Sequence, residues 1–443
     1  MKRPVMTDIP FSPRVRSVPA TRLARLGHMG GLATGLAGDL ALGAGRALAR
    51  GERPRLDQLI LSPGSVERIT DRLSQMRGAA MKLGQLMSME TGDLLPPELS
   101  NILARLRAEA HTMPPKQLKT VLEANYGAGF RRLFKGFDTQ PLAAASIGQV
   151  HRATAADGTA LAIKIQYPGV REAIDSDLDN AAALIRWSGM VPAELDLGPL
   201  MAEARLQLHE EADYAREGAC MARFAALLDG DDRFVVPRYR PDLSAGGALA
   251  MSYEPSAPIE TLADAPADIR DRAVSALIEL CLRELFDFGL MQTDPNFANY
   301  RWRPETGQIV LLDFGATREI GDGLAQGHLD LMRAGLARDR DTVLAALEGL
   351  GFVRPGLAER HRAAILDMAE MGFAALDGPL DFATDDLPDR MRRRGMEIGS
   401  ERELWHIPPA ETLFLQRKIG GLYLLAARLG ATVDFPRLLA RWA

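Results

Sequence analysis

Over residues 65–90 apolar side chains recur at Ile69, Leu73, Met76, Ala80, Leu83 and Met87, the three- and four-residue spacing that draws one apolar stripe along a helix. Ser65 suits the N-cap and Glu67 the first turn, so one helix is expected there. The run Leu94-Leu95-Pro96-Pro97-Glu98 ends that element and opens another, because proline in a first helical turn forfeits no hydrogen bond. Residues 98–126 read as two helical pieces divided near Pro114-Pro115. The period then shortens. Residues 142–152 and 159–166 read as strands, with Asp157-Gly158 as a hairpin signal between them. A long helix over 198–226 follows, then strand-like stretches at 233–240 and 247–254. From about residue 260 the pattern is mainly helical, apart from short apolar pieces at 300–302 and 309–312. Strands with one helix, followed by a helical half, predict a two-lobed α+β arrangement.

Composition narrows the class. The 443 residues are 47% hydrophobic and 25% charged, which is ordinary for a globular chain, and no run reaches the roughly 18–20 apolar residues of a membrane span. The net charge of −5 conceals an asymmetry: residues 1–55 hold ten basic and three acidic residues, a +7 arm on an acidic body. An acidic body excludes nucleic acid as the main partner, whereas a basic arm is attracted to an anionic membrane surface. Seven glycines between Gly27 and Gly45 would let helix backbones approach closely, but the apolar run 29–45 is short and holds Asp39. It reads as an interfacial or dimerising helix, or as a helix packed on its own domain. Cys220 and Cys281 lack metal-ligand spacing, fit a reducing compartment, and Cys281 reads as a packed core thiol. The start of the chain has no secretory apolar core. Its Ala- and Arg-heavy usage reads as a bacterial cytosolic chain in preference to a mitochondrial one.

Of the 53 basic residues only seven are lysines, so each lysine position carries information. Asp294 is followed five residues later by Asn299, and fourteen residues after that comes Asp313-Phe314-Gly315. This is the layout of a protein-kinase catalytic loop and metal-binding aspartate. Asn299 and Asp313 offer hard oxygen donors to Mg²⁺, and Asp294 offers a carboxylate toward a phosphoryl acceptor. Upstream, Leu161-Ala162-Ile163-Lys164 supplies a strand lysine for the α- and β-phosphates of ATP, and Glu217 on the following long helix supplies its carboxylate partner. The expected glycine-rich loop is replaced by Ala143-Ala144-Ala145-Ser146-Ile147-Gly148-Gln149-Val150, where Cβ atoms restrict backbone approach to phosphate. Gln292 stands where a catalytic-loop histidine belongs, and no Ala-Pro-Glu segment follows Gly315. The site is kinase-derived without being built to grip a protein substrate.

Five segments, Lys82-Leu83-Gly84-Gln85, the alanine-rich run 143–150, Ile165-Gln166-Tyr167-Pro168-Gly169-Val170, Glu211-Ala212-Asp213-Tyr214 and Gln292-Thr293-Asp294-Pro295-Asn296, together resemble the UbiB family of atypical kinase-like proteins. The resemblance runs from about Val18 to Arg417-Lys418-Ile419-Gly420-Gly421. It implies a two-lobed protein-kinase-like fold with an N-terminal helical extension over the active site. The corresponding division is a basic Gly-rich membrane or dimer arm (1–55), the helical extension (56–137), an N-lobe (138–255) and a C-lobe (256–443).

By the same resemblance Lys82 and Gln85 lie near the nucleotide and occlude the protein-substrate groove, and Glu211 and Asp213 match the family's Glu-x-Asp motif. Lys82 and Gln85 share a helix face at three residues apart, as Asp213 and Glu217 do at four, where two like charges call for a nearby cation. The implied catalytic set is Asp294, Lys164, Glu217, Lys82 and Gln85. Nucleotide contacts fall to Ala143, Ala144, Ala145, Ser146, Val150, Lys164, Glu211 and Asp213, and Mg to Asn299 and Asp313. Family members act as ATPases stimulated by membrane lipid or quinone-precursor-like molecules and support ubiquinone biosynthesis. The implied partners are ATP or ADP, an anionic membrane surface, a quinone-precursor-like lipid, other quinone-biosynthesis proteins and a second copy through the Gly-rich helix. The implied location is cytoplasmic and peripheral to the inner membrane, or the matrix side in a mitochondrion. A small-molecule or lipid phosphotransferase and a nucleotide-gated lipid-binding scaffold are the competing readings.

Overall fold

The computed structural model describes residues 14–15, 70, 73, 76–91, 102, 111–187, 197–353, 358–399 and 409–443. The Gly-rich stretch, nearly all of the basic arm and most of the first half of the 65–90 segment lie outside these residues. The chain divides into two compact units, one of Met1–Ala219 with Tyr239–Tyr253, the other of Cys220–Arg238 with Glu254–Ala443.

The first unit is organised on a four-stranded antiparallel sheet in the order β1 (Phe134–Ala144), β2 (Gly148–Ala155), β3 (Ala160–Gln166), β4 (Ala248–Ser252). Alternation assigns its faces. Leu161, Ile163 and Ile165 of β3 are fully buried in a core with Leu118, Val121 and Leu122 of the helix Pro115–Tyr126. Each such side chain contributes about 1.5–3 kcal/mol. Lys164, one residue out of phase, points to the other face. The β2–β3 turn is the expected one: Gly158 takes φ 93°, and Asp157 Oδ1 accepts the Thr159 amide at 2.8 Å.

A helical layer completes this unit. Helix α1 (Arg77–Thr91) buries Ala79, Ala80, Leu83, Leu86 and Met87 in one core with α3 (Val170–Trp187) and α4 (Gly198–Glu211), where α2 denotes Pro115–Tyr126. The α3 helix was not expected from the sequence, although Ile174, Leu178, Ala181 and Ile185 form its buried stripe.

Three other expectations are corrected. The 142–152 strand is the end of β1, a turn at 145–147 and the start of β2. The turn is closed by the Ala145 amide donating to the Gly148 carbonyl at 2.8 Å, and Gly148 enters β2 so close to β3 that a Cβ would lie 2.4 Å from the Ile165 carbonyl oxygen. The single helix over 198–226 is two, α4 and α5 (Tyr214–Leu227), because Asp213 accepts the Arg216 amide at 3.0 Å and starts a new helix. Asp213 therefore caps α5 instead of sharing an exposed face with Glu217. The 233–240 stretch shortens to a two-residue strand, Phe234–Val235.

In the second unit, α6 (Ala267–Arg283) runs into a widened turn at Glu284–Phe288, closed by Gly289 at φ 58°. The widened turn directs Glu284 into the interior. Strand β5 (Leu290–Gln292) follows and pairs antiparallel with β8 (Thr317–Glu319). Between them β6 (Tyr300–Arg303) and β7 (Gln308–Leu311) form an antiparallel hairpin, which accounts for the two apolar pieces seen in the sequence. Among the described residues, helices α7 (Asp322–Leu336), α8 (Arg340–Gly349), α9 (Glu359–Ala374), α10 (Leu387–Gly399) and α11 (Ala410–Leu429) and the short helix Phe435–Leu439 follow. Among the described residues no helix is long and apolar enough to cross a membrane. Cys220 and Cys281 are buried, and burial pushes the Cys281 pKa up to about 12.

Candidate active site

In the first unit β3 carries Lys164, whose Nζ donates to both oxygens of Glu217 at 3.0 Å. Lys164 is 8% exposed and Glu217 is fully buried in the first turn of α5, where the helix N-terminus favours a carboxylate. The chelated geometry holds the ammonium in one place. Its cross-strand neighbours are Val150 on β2 and Leu249 on β4, so Val150 shares its face of the sheet.

A second lysine pair links three of the sequence motifs. Lys82 of α1 is buried and ion-paired with Glu211 at the end of α4, and Glu211 Oε2 accepts the Ser146 hydroxyl at 2.9 Å. The helix with Lys82, the alanine-rich turn and the Glu-x-Asp segment thus meet at one carboxylate. Gly78 on α1 also lies against this turn, since a Cβ there would be 3.0 Å from Ile147 Cγ2. Only part of the alanine run is loop: Ala143 and Ala144 pair with Val150 and Gln149 as strand residues, and Ala145 donates its amide to the Gly148 carbonyl at 2.8 Å. Gln85 lies one turn beyond Lys82 on α1, and its side chain is outside the described set.

Beneath the turn is a polar pair the sequence did not flag. Gln149 and His151 are fully buried, with Gln149 Oε1 accepting the Met113 amide at 2.8 Å and Gln149 Nε2 2.7 Å from His151 Nε2. His151 Nδ1 lies 2.8 Å from the Asp138 carbonyl oxygen. An Nδ1–H donating to that carbonyl leaves Nε2 to accept from Gln149, which is the neutral imidazole. Burial lowers the His151 pKa and favours the same form.

In the second unit the catalytic-loop residues converge. Asn299 Nδ2 donates to Asp294 Oδ2 at 3.1 Å and to the Asp294 carbonyl at 3.2 Å. The other carboxylate oxygen, Oδ1, accepts from Arg417 Nη2 at 2.7 Å. Asn296 uses its side chain to accept the Ala298 amide and so shapes the turn. Gln292, in the place of the histidine, donates to the carbonyls of both Asp294 and Asp313, at 2.9 and 3.3 Å. Leu312 donates its amide to the Asn299 carbonyl at 2.8 Å, which brings the Asp-Phe-Gly segment alongside the loop. Asp313 stands at φ 60°, a left-handed conformation costly for a non-glycine residue, and its Oδ1 accepts the Gly315 amide at 3.1 Å. Phe314 is buried with its ring 5.1 Å from Phe224.

The donor chemistry fits Mg²⁺. With its nitrogen turned onto Asp294, Asn299 keeps its amide oxygen as a hard donor, and Asp313 adds a carboxylate. Mg²⁺ takes few protein ligands of this kind and completes its shell with water and phosphate. Among the described residues there is no cluster of three or more His, Cys, Asp or Glu side chains arranged for a metal. A two-residue oxygen set suits a metal that arrives with a nucleotide.

Under the loop lies Lys418 of α11, 2% exposed, donating to the Gln292 carbonyl (2.8 Å), Gln292 Oε1 (3.2 Å) and the Tyr300 hydroxyl (3.1 Å), with Glu284 Oε2 at 3.2 Å. Burial pulls its pKa down, but the charge of Glu284 and the contact with Tyr300 outweigh it and keep the ammonium well above the usual lysine range. The sequence reading singled out Lys82 and Lys164 and missed Lys418 and Arg417 as loop partners. Lysine scarcity was the available signal, since these three buried, paired lysines are nearly half of the seven.

Residues 105–347 match the ABC1 atypical kinase-like domain. The chain belongs to the UbiB family. It is 37% identical over 426 residues to the mitochondrial atypical kinase COQ8 of Saccharomyces cerevisiae, covering 95% of this chain and 85% of that protein. The mitochondrial atypical kinase COQ8B of Rattus norvegicus is 37% identical over 437 residues, covering 97% of this chain and 81% of that protein. Among solved structures, a complex of Rv3197 with erythromycin from Mycobacterium tuberculosis is similar with a TM-score of 0.60 at 24% identity, covering 84% of this chain and 93% of that one. The fold is the kinase-like α+β fold of this family. Lys82, and Arg417 and Lys418 on α11, lie outside the ABC1 match, yet within the reach of a similarity to COQ8 that spans nearly the whole chain.

Proposed function

We propose that this UbiB-family chain is an ATP- and Mg-dependent atypical kinase-like ATPase that supports ubiquinone biosynthesis at a membrane surface. The chelated Lys164–Glu217 pair carries the reading, because a lysine held by a buried carboxylate is the device by which kinase-like proteins orient the α- and β-phosphates. When bound, Mg²⁺ would be held by Asn299 and Asp313 and would supply positive charge to the phosphates. Asp294 contributes a fixed negative group whose orientation is set by Asn299 and Arg417. Ser146, tied to Glu211 and through it to Lys82, fixes the alanine-rich turn, which carries the remaining phosphate contacts.

Both Asp294 oxygens accept hydrogen bonds, from Arg417 and Asn299, which fixes the carboxylate beside the position of an incoming water or alcohol, so the nucleophile is decided by which acceptor the site admits. Membrane action and the location at a membrane face rest on the basic arm and on the mitochondrial relatives. The test is phosphate release from Mg-ATP by the purified chain, with and without anionic liposomes carrying a quinone-precursor-like phenol. Stimulated release, together with restored ubiquinone in a deletion strain complemented by the wild type but not by Lys164→Met, supports the proposal. Labelled phosphate appearing on a lipid or small molecule in place of free phosphate would shift it to a phosphotransferase. Full complementation by Asp294→Asn, with none by Lys164→Met, would leave a nucleotide-gated scaffold.

A further inference from the structure

Helix α11 touches the catalytic loop at three positions on one face. Arg417 holds Asp294, Lys418 holds Gln292, and Gly421 lies so close to Pro295 that a Cβ there would be 2.2 Å from the proline Cβ. The helix therefore spans the loop from Gln292 to Pro295 with a charge-assisted bond, a buried ammonium and a backbone contact. Lys418 is consumed by fixing the loop backbone. Arg417 is different, because its partner is the side chain that the reaction uses.

We propose that Arg417 is a positioning residue for the phosphoryl-transfer chemistry, acting through Asp294; this rests on the ATPase reading above. The guanidinium fixes one carboxylate oxygen while Asn299 fixes the other, so the group has one orientation available. It also offsets the charge of Asp294, which would otherwise repel the phosphates of an approaching nucleotide. No residue of the loop itself supplies such a cation: the segment from Gln292 to Asn299 contains no Lys or Arg. A pair with 12% and 22% of its side chains exposed is sufficiently shielded from water for this charge balance to matter. Lysine at 417 would retain the charge without the planar fork, and so would reproduce the effect only in part.

The experiment measures steady-state Mg-ATP hydrolysis of the full chain for Arg417→Gln, Arg417→Lys, Asp294→Asn and the double Arg417→Gln/Asp294→Asn variant, with thermal unfolding and binding of a fluorescent ATP analogue alongside. Loosening the carboxylate is expected to lower kcat by about 10²-fold, with KM and analogue affinity within about threefold of wild type. Arg417→Lys should recover part of kcat, and the double variant should lose no more than the worse single variant, since the two residues act as one unit. Unchanged kcat in Arg417→Gln, a loss confined to KM, or additive losses in the double variant would overturn the inference. If Arg417→Gln unfolds, full activity in Arg417→Lys would overturn it equally, since charge alone would then suffice. A wild type that turns over no faster than Asp313→Asn would instead remove the ATPase reading, and this inference with it.

Discussion

Each unit of the molecule buries a lysine against a fully buried glutamate, Lys164 with Glu217 and Lys418 with Glu284, and the settings of these two pairs differ. Lys164 is chelated by Glu217 and retains 8% exposure, whereas Lys418 at 2% faces Glu284 while also donating to the Gln292 backbone, the Gln292 amide and Tyr300. A buried ion pair by itself is weak evidence for stability, because desolvation consumes much of the attraction. In the proposed function the first pair orients a charge toward the phosphates. The second uses a charge as the centre of a hydrogen-bond network beneath the catalytic loop.

The largest effect that could break this comparison is in the second pair. Lys418→Met strands Glu284 and removes a donor from three acceptors, so chemical denaturation should show a loss of about 3–5 kcal/mol. A loss below about 1 kcal/mol would mean that the network is not structural. Next comes the first pair, probed by replacing both partners. Lys164→Met/Glu217→Leu should cost less stability than Lys164→Met alone, because the Glu217 carboxylate is no longer left buried without its ammonium, yet lose about 10²–10³-fold in ATP turnover, roughly the effect of deleting one preorganised electrostatic group. Retained turnover would make Lys164 architectural, as Lys418 is.

A smaller effect separates two adjacent glycines of α11. Gly421→Ala meets Pro295 and should cost about 1–3 kcal/mol while slowing turnover. Gly420→Ala has nothing within 4 Å of its Cβ and should stabilise by up to about 1 kcal/mol through helix propensity. Equal shifts in melting temperature would contradict the close contact. The smallest effect concerns His151 in the first unit. Its folded-state pKa is depressed by burial, so the unfolded chain binds the extra proton more readily, and stability is lost as pH falls below about 6.5. Thermal melts from pH 7.5 to 5.5 should show this loss in wild type and a flatter profile in His151→Gln.

Much of the site was legible because its parts are local. Asp294, Asn299 and Asp313 lie within twenty residues, and a hairpin of two short strands brings their segments together. Lys164 was readable from its strand and from its rarity. The Arg417 and Lys418 contacts were not, since 123 and 126 residues separate them from Asp294 and Gln292 and no local pattern encodes such a pairing. In the fold, the errors arose where one residue overrode a periodicity. The Ala145–Gly148 backbone bond turns an apparent strand into a hairpin and Asp213 divides an apparent helix, in each case through a contact to the backbone that hydrophobic spacing does not record.

The most direct measurement is phosphate release from Mg-ATP by the purified wild-type chain beside Asp313→Asn, a change that preserves shape and removes one negative charge. The account predicts measurable turnover in the wild type and a loss of at least about 10²-fold in the variant, with its melting temperature close to wild type. Equal turnover in the two proteins would contradict it.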